Sequence, residues 1–169
     1  MTAIPDVESL LARMTAGLSQ LLADGSNEDA LLVGIHTGGA WLAERLHERL
    51  GLRTPLGTLD ISFYRDDFSR KGMHPEVRPS RLPLSIEGRP VILVDDVLYT
   101  GRTVRAALNE LFDYGRPASV RLAVLIERDG RELPVAADVA GHTLTLGRAE
   151  RIKLRGPDPL RIERSHVDP

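Results

Sequence analysis

The chain has no cysteine. That excludes disulfides, thiolate metal sites and cysteine nucleophiles together, and it suits a reducing compartment. Aromatic residues make up only 4% of the 169 residues. Binding of single-stranded nucleic acid by base stacking therefore has few platforms to use. No apolar run approaches the roughly 20 residues that span a bilayer. The opening residues, MTAIPDVESL, lack a basic segment followed by an apolar one, so no secretory signal is expected and a cytoplasmic location is. Histidines are few, and His47, His74, His142 and His166 form no HxxxH or His-carboxylate cluster, so a protein-built metal cage is not expected.

What is present describes an ordinary globule. Apolar residues at 42%, charged residues at 27% and a net charge of −2 fit one domain over 1–169 with a real core. No repeat, low-complexity tract or linker interrupts it. Leu10, Leu11, Met14, Leu18, Leu21 and Leu22 fall at helical spacing and predict a helix over 6–23,. The apolar run 30–35 predicts a strand, HTGG (36–39) a turn, and 40–50 an amphipathic helix closed by Gly51,. Further strands are predicted at 56–64, 91–96 and 120–126, and a helix at 104–115 with Gly115 as its C-cap,. Between them, 65–81 is polar, carries five Arg/Lys residues and lacks apolar periodicity, as functional or disordered connections do. Trp41 lies on the first core helix and reads as packing. Strands alternating with helices predict an α/β fold with a mainly parallel central sheet flanked by helices.

Chemistry concentrates in VILVDDVLYTGRT (91–103). An apolar strand delivers Asp95 and Asp96 to its carboxyl end, where open α/β sheets bind ligands. Val97, Leu98 and Tyr99 continue the loop, and Thr100, Gly101, Arg102 and Thr103 open the next helix. A helix start offers free N–H groups and partial positive charge to a phosphate. The threonines add hydroxyl donors, and Gly101 permits close backbone approach. Carboxylates that accept from ribose hydroxyls, followed by donors for a terminal phosphate, match a phosphorylated sugar. Taken alone, a DD pair is a turn and a TG pair a cap; the whole string together carries the reading.

This string is similar to the signature by which type I phosphoribosyltransferases bind 5-phosphoribosyl-1-diphosphate (PRPP). With LDISFYRDD (59–67) and GRPASVRLAVLIERDGRELP (115–134), the chain over about 7–155 resembles the bifunctional pyrimidine operon regulator/uracil phosphoribosyltransferase (PyrR) family. The resemblance implies a type I phosphoribosyltransferase fold, with a small hood near 127–155 and a mobile loop near 65–85. It implies conversion of uracil and PRPP to UMP and diphosphate, with Mg²⁺ carried by PRPP and catalysis centred on Asp95 and Asp96. It makes His36, Thr37, Gly38 and Gly39 a diphosphate loop, with Arg65, Arg70 and Lys71 on the mobile loop as further diphosphate partners. Family members carry a basic residue in the first of these loops, where this chain has Gly38-Gly39; a protonated His36 could replace that charge in part. Glu127 and the backbone around Ile152 become candidate base readers.

The family's second function is UMP-modulated binding to the leader of pyrimidine operon mRNA, which controls transcription attenuation. Its electrostatic requirement is a basic footprint. Residues 1–30 hold Arg13 against Asp6, Glu8, Asp24, Glu28 and Asp29. The candidate patch is instead Arg148, Arg151, Lys153 and Arg155, doubled in a homodimer or higher homo-oligomer; the same residues would also suit a plain solvated surface. A nucleotide sensor without turnover and a purine phosphoribosyltransferase stay open as alternatives.

Overall fold

Short Leu/Ile/Val runs become buried strands because each is apolar on both faces, the composition of a parallel sheet covered by helices on both sides. The computed structural model describes residues 3–62 and 80–168. Tyr64, Arg65, Asp66, Asp67, Arg70, Lys71, His74 and Arg78 lie outside them. The strands are β1 (Leu31–Ile35), β2 (Gly57–Leu59), β3 (Pro90–Leu98), β4 (Ser119–Arg128) and β5 (Val139–Leu144). They form one parallel sheet in the order β2-β1-β3-β4-β5. The helices are α1 (Val7–Leu22), α2 (Gly38–Leu50) and α3 (Arg102–Phe112).

Period-2 alternation sorts the strand residues between two cores. Leu32, Ile92, Val94, Ala123 and Leu125 pack against Leu10, Leu11, Met14 and Leu18 of α1 and Leu42 and Leu46 of α2. Leu31, Val33, Ile35, Val91, Leu93, Leu122 and Val124 pack against Val104, Ala107 and Leu111 of α3. Each fully buried Leu or Ile contributes about 1.5–3 kcal/mol, so these faces fix the sheet's register. The helix ends follow local chemistry. Asp6 caps α1 by accepting from the Ser9 N–H at 2.8 Å,, and Gly51 closes α2 in the left-handed region at φ 61°,.

A second, antiparallel ribbon pairs β6 (Glu150–Arg155) with β7 (Arg161–His166). It is anchored on α2. Leu154 is buried in the first core, Trp41 packs against that core, and Arg45 donates to the Pro157 carbonyl at 3.1 Å. The peptide bonds before Pro157 and Pro159, in the turn between β6 and β7, are cis. Glu150 accepts from the Gly147 N–H at 2.7 Å and pairs with Arg164, which together hold its carboxyl below the usual carboxylate range. Arg155 grips Glu163 through two contacts, at 2.9 and 3.3 Å, which lowers the Glu163 pKa and raises that of Arg155.

Two expectations need correction, and three strands lie beyond the predicted ones. The strand expected over 56–64 ends at Leu59. There the Asp60 carboxylate accepts from the Ser62 N–H at 2.9 Å and the Ser62 hydroxyl at 2.5 Å, a local turn that competes with ladder pairing,. The third helix ends at Phe112, and its cap is Asp113 rather than Gly115. Gly115, at φ 147°, is instead needed where the chain passes Glu87, since a Cβ there would stand 3.0 Å from its Oε2. Strands β5, β6 and β7 go beyond the predicted elements: VAGHTL is broken by Gly and His, ERIKLR sets only two apolar residues among four charged ones, and RIERSH alternates charge with only one large apolar residue.

Two outcomes are expected. A Cβ on Gly34 would lie 2.6 Å from the Ala40 Cα, so Gly34→Ala should cost roughly 1–3 kcal/mol, seen as a lower urea midpoint. The ribbon carboxylates Glu150 and Glu163 have depressed pKa values, so their stabilisation is complete above the ordinary Glu range and fades as pH falls below about 4.3. Glu150→Gln should therefore flatten the acid limb of a stability–pH curve while leaving its neutral-pH shape unchanged.

Candidate active site at the carboxyl ends of β1 and β3

The strand order reverses between β1 and β3, which makes the crevice at their carboxyl ends the topological switch point,. Both sequence-predicted loops leave from there. Asp95, buried, accepts from the Asp96 N–H at 2.9 Å, and Asp96 accepts from the Val97 N–H at 2.8 Å. The carboxylates are thus oriented by their own backbone rather than by distant partners alone. After Leu98 the chain bends through Tyr99, Thr100 and Gly101 into α3. Gly101 takes φ 93°, and a Cβ there would also crowd Leu133 and Val135 at 3.3 Å. The Thr100 hydroxyl accepts from the Arg102 N–H at 3.2 Å. Gly101 supplies no side-chain cap, so the remaining first-turn N–H groups of α3 keep their donor capacity.

The other loop, His36–Gly39, follows β1, with a cis peptide between His36 and Thr37. The His36 N–H donates to the Leu59 carbonyl at 2.9 Å. Its two glycines let α2 begin against the end of β3. A Cβ on Gly38 would stand 2.6 Å from Asp96 Oδ2, and one on Gly39 would stand 2.3 Å from the Val94 carbonyl oxygen. In this chain the space over Gly38 belongs to the Asp96 carboxylate. A side chain at 38 would meet the end of that carboxylate, which would have to turn aside. His36, Thr37, Gly38 and Gly39 are therefore brought beside Asp95 and Asp96; Arg65 lies outside the described residues.

A third segment, ERDGRELP (127–134), wraps the Tyr99–Arg102 turn. The Glu132 and Leu133 N–H groups donate to the Thr100 carbonyl at 2.9 and 3.1 Å. Arg131 donates to the Tyr99 carbonyl and pairs with Glu127 at 2.9 Å. Arg102 reaches Glu132 at 3.4 Å. The Arg128 guanidinium stands 4.0 Å from the Tyr99 ring centroid, and Gly130, at φ 110°, allows a backbone approach where a Cβ would lie 2.4 Å from that ring. Glu127 is thus committed to bracing the turn. The residue pattern GRELP points to this segment, but the brace itself depends on long-range folding that local spacing does not encode.

Facing the turn across a cleft of about 470 Å³ is the ribbon. Val97, Tyr99, Thr103 and Arg128 line one side, and Arg148, Arg151, Ile152, Lys153 and Arg155 line the other. The candidate base reader Ile152 and the candidate RNA patch therefore share one wall. Arg155 is committed to Glu163, whereas Arg148, Arg151 and Lys153 have no ion pair among the described residues. Also among the described residues, no three His, Asp or Glu side chains group as a metal cage. His47 is occupied by the Thr54 carbonyl at 2.7 Å. No helix of the described residues is long and apolar enough to cross a membrane.

Known proteins share this architecture. The phosphoribosyl transferase domain family matches residues 1–147. The bifunctional protein PyrR of Pseudomonas aeruginosa is 59% identical over 161 residues, covering 95% of each chain. The protein of that name from Nitrosococcus oceani is 57% identical over 166 residues, covering 97% of this chain and 94% of the other. Among solved structures, a hypoxanthine phosphoribosyltransferase from Staphylococcus aureus superposes with a TM-score of 0.65 at 20% identity, over 86% of this chain and 78% of that one. A hypoxanthine-guanine phosphoribosyltransferase from Bacillus anthracis gives 0.66 at 17% identity, over 85% and 84%. At that identity the structures attest the fold, and the sequence relatives attest the closer kinship. With a switch-point crevice on that fold and PyrR relatives matched along nearly their full length, this chain belongs to the phosphoribosyltransferase family and, within it, to the PyrR proteins.

Proposed function

We propose that this chain is a uracil phosphoribosyltransferase that converts uracil and PRPP to UMP and diphosphate, and that it also regulates pyrimidine operon transcription by UMP-responsive binding to the mRNA leader. The observation that carries the first activity is the meeting of Asp95, Asp96, the Thr100–Thr103 helix start and the Gly38-Gly39 loop at one strand-order reversal. Those groups supply what PRPP requires. The N–H groups at the start of α3, with Thr100 and Thr103, hold the 5′-phosphate. The backbone of His36–Gly39 faces the diphosphate. Asp96, the more exposed carboxylate, accepts from the ribose hydroxyls, while Asp95 shapes the turn below it. Ile152 and its neighbours on β6 offer backbone groups to the base edge.

No covalent nucleophile is needed. The bond from the ribose C1 to the diphosphate oxygen breaks as a uracil nitrogen bonds to C1, and the uracil proton passes to a base, for which an Asp95/Asp96 carboxylate is the candidate. The sugar is oxocarbenium-like between these events, so a nearby carboxylate stabilises it. Mg²⁺ would be carried by the hard oxygens of the diphosphate, with the Asp95/Asp96 carboxylates as the residues that could help hold it, and would neutralise leaving-group charge. The RNA reading rests on the cations of Arg148, Arg151 and Lys153, which are not engaged in ion pairs among the described residues.

UMP and diphosphate release should depend on uracil, PRPP and Mg²⁺ together, with hypoxanthine failing to replace uracil. Turnover with hypoxanthine alone would make the chain a purine transferase, and no turnover with UMP-induced thermal protection would make it a sensor. Asp96→Asn should reduce kcat/KM at least about 100-fold, the scale of a missing general base or charge stabiliser; near-normal turnover removes Asp96 from the mechanism. For the RNA role, replacing Arg148, Arg151 and Lys153 with Gln should weaken leader binding and lower its log–log salt slope by up to about one unit for each phosphate no longer neutralised. An unchanged slope puts the RNA elsewhere.

A further inference from the structure

Arg128 is an unusual residue for its surroundings. It ends β4, is only 5% exposed, and has no carboxylate within ion-pairing distance among the described residues. Burying a guanidinium without a counter-ion is costly unless other groups receive its charge and donors. Here the recipients come from both walls of the cleft. Its plane of charge lies 4.0 Å from the Tyr99 ring centroid, and its Nη1 donates to the Glu150 carbonyl at 2.9 Å. A longer contact, 3.4 Å, joins Nε to the Asp129 carbonyl.

Both recipients are themselves fixed. Tyr99 is held by its own carbonyl, through Arg131, and by the close passage of Gly130 under the ring. Glu150 is held at both ends: its N–H donates to the Gly147 carbonyl at 3.0 Å, its carboxylate accepts from the Gly147 N–H at 2.7 Å, and it pairs with Arg164. Arg128 is therefore the link between two stiff bodies. One is the turn leading into Thr100–Thr103; the other is the ribbon strand that carries Ile152 two residues beyond Glu150.

We propose that Arg128 is a positioning residue that sets the distance between the phosphate-binding turn and the base-facing ribbon, so that one nucleotide spans both. This rests on the site reading given above. A ligand that bridges the two walls requires them at a fixed separation, because binding energy gained at one end is forfeited if the other must move to meet it. The Tyr99 stack is the weaker half of the link, and the Glu150 hydrogen bond sets the approach of the ribbon.

The test is a double-mutant cycle on Arg128 and Tyr99, read as separate KM values for PRPP and uracil, kcat, and the thermal midpoint. Arg128→Met should raise both KM values on the order of tenfold, with a smaller change in kcat. Tyr99→Leu should raise the KM for uracil as well as for PRPP, although Tyr99 stands on the phosphate side. The double variant should be no worse than the poorer single one, because both changes cut the same link. Arg128→Lys keeps a cation on the ring and should recover the PRPP KM more than the uracil KM. Unchanged KM values in Arg128→Met, strictly multiplied effects in the double variant, or a Tyr99→Leu effect confined to PRPP would each overturn the proposal. If Arg128→Met fails to fold, the Tyr99→Leu and Arg128→Lys results decide it alone. If the unmodified protein makes no UMP from uracil, the functional reading fails separately, and UMP affinity by calorimetry in the same variants then reads the link directly.

Discussion

The site depends on one close approach: the start of α2 lies against the end of β3, closer than a side chain at 39 would permit. Gly39 passes the Val94 carbonyl, Gly38 passes the Asp96 carboxylate, and Gly34 inside β1 lets α2 settle on its own strand. Because β1 and β3 are neighbours with their crossovers running to opposite faces, this approach joins two loops that are some sixty residues apart in sequence. The loop that would hold a diphosphate and the carboxylates that would hold a ribose become adjacent through packing alone.

A second tier of contacts holds the Tyr99–Arg102 turn in shape. The ERDGRELP segment contributes backbone donors to Thr100, an arginine to the Tyr99 carbonyl and a guanidinium over the Tyr99 ring. So many charged and polar groups converging on a turn of a few residues suit a turn that must stay fixed as ligands come and go. The opposite wall is stiffened by ion pairs that lie along the ribbon, Glu150 with Arg164 and Arg155 with Glu163. Arg148, Arg151 and Lys153, which have no ion pair among the described residues, give the cleft its positive character.

Much of this is legible in the sequence, and for identifiable reasons. The buried strands β1, β3 and β4 are built on mostly apolar runs, so composition marks them, and the Asp95–Thr103 string lies at a strand end, as its position after such a run implies. Boundaries set by side-chain turns are not legible. Asp60 and Ser62 stop β2 early, and Asp113 closes α3 before the glycine that attracts the cap assignment. The ribbon's strand β7 is hidden because its alternation is of charges rather than of apolar residues. Least legible is the role of ERDGRELP. Its residues read as a base-facing hood, yet Arg131, paired with Glu127, turns back to donate to the Tyr99 carbonyl; such contacts depend on the parallel pairing of β3 with β4, which no local pattern encodes.

The most direct test of the account is hydrogen–deuterium exchange measured with and without PRPP and Mg²⁺. The account predicts slowed exchange at the amides of residues 36–39 and 99–103 together, since the two loops are held to receive one ligand. Protection at only one of these loops, or protection confined to surfaces away from the β1/β3 switch point, would contradict it.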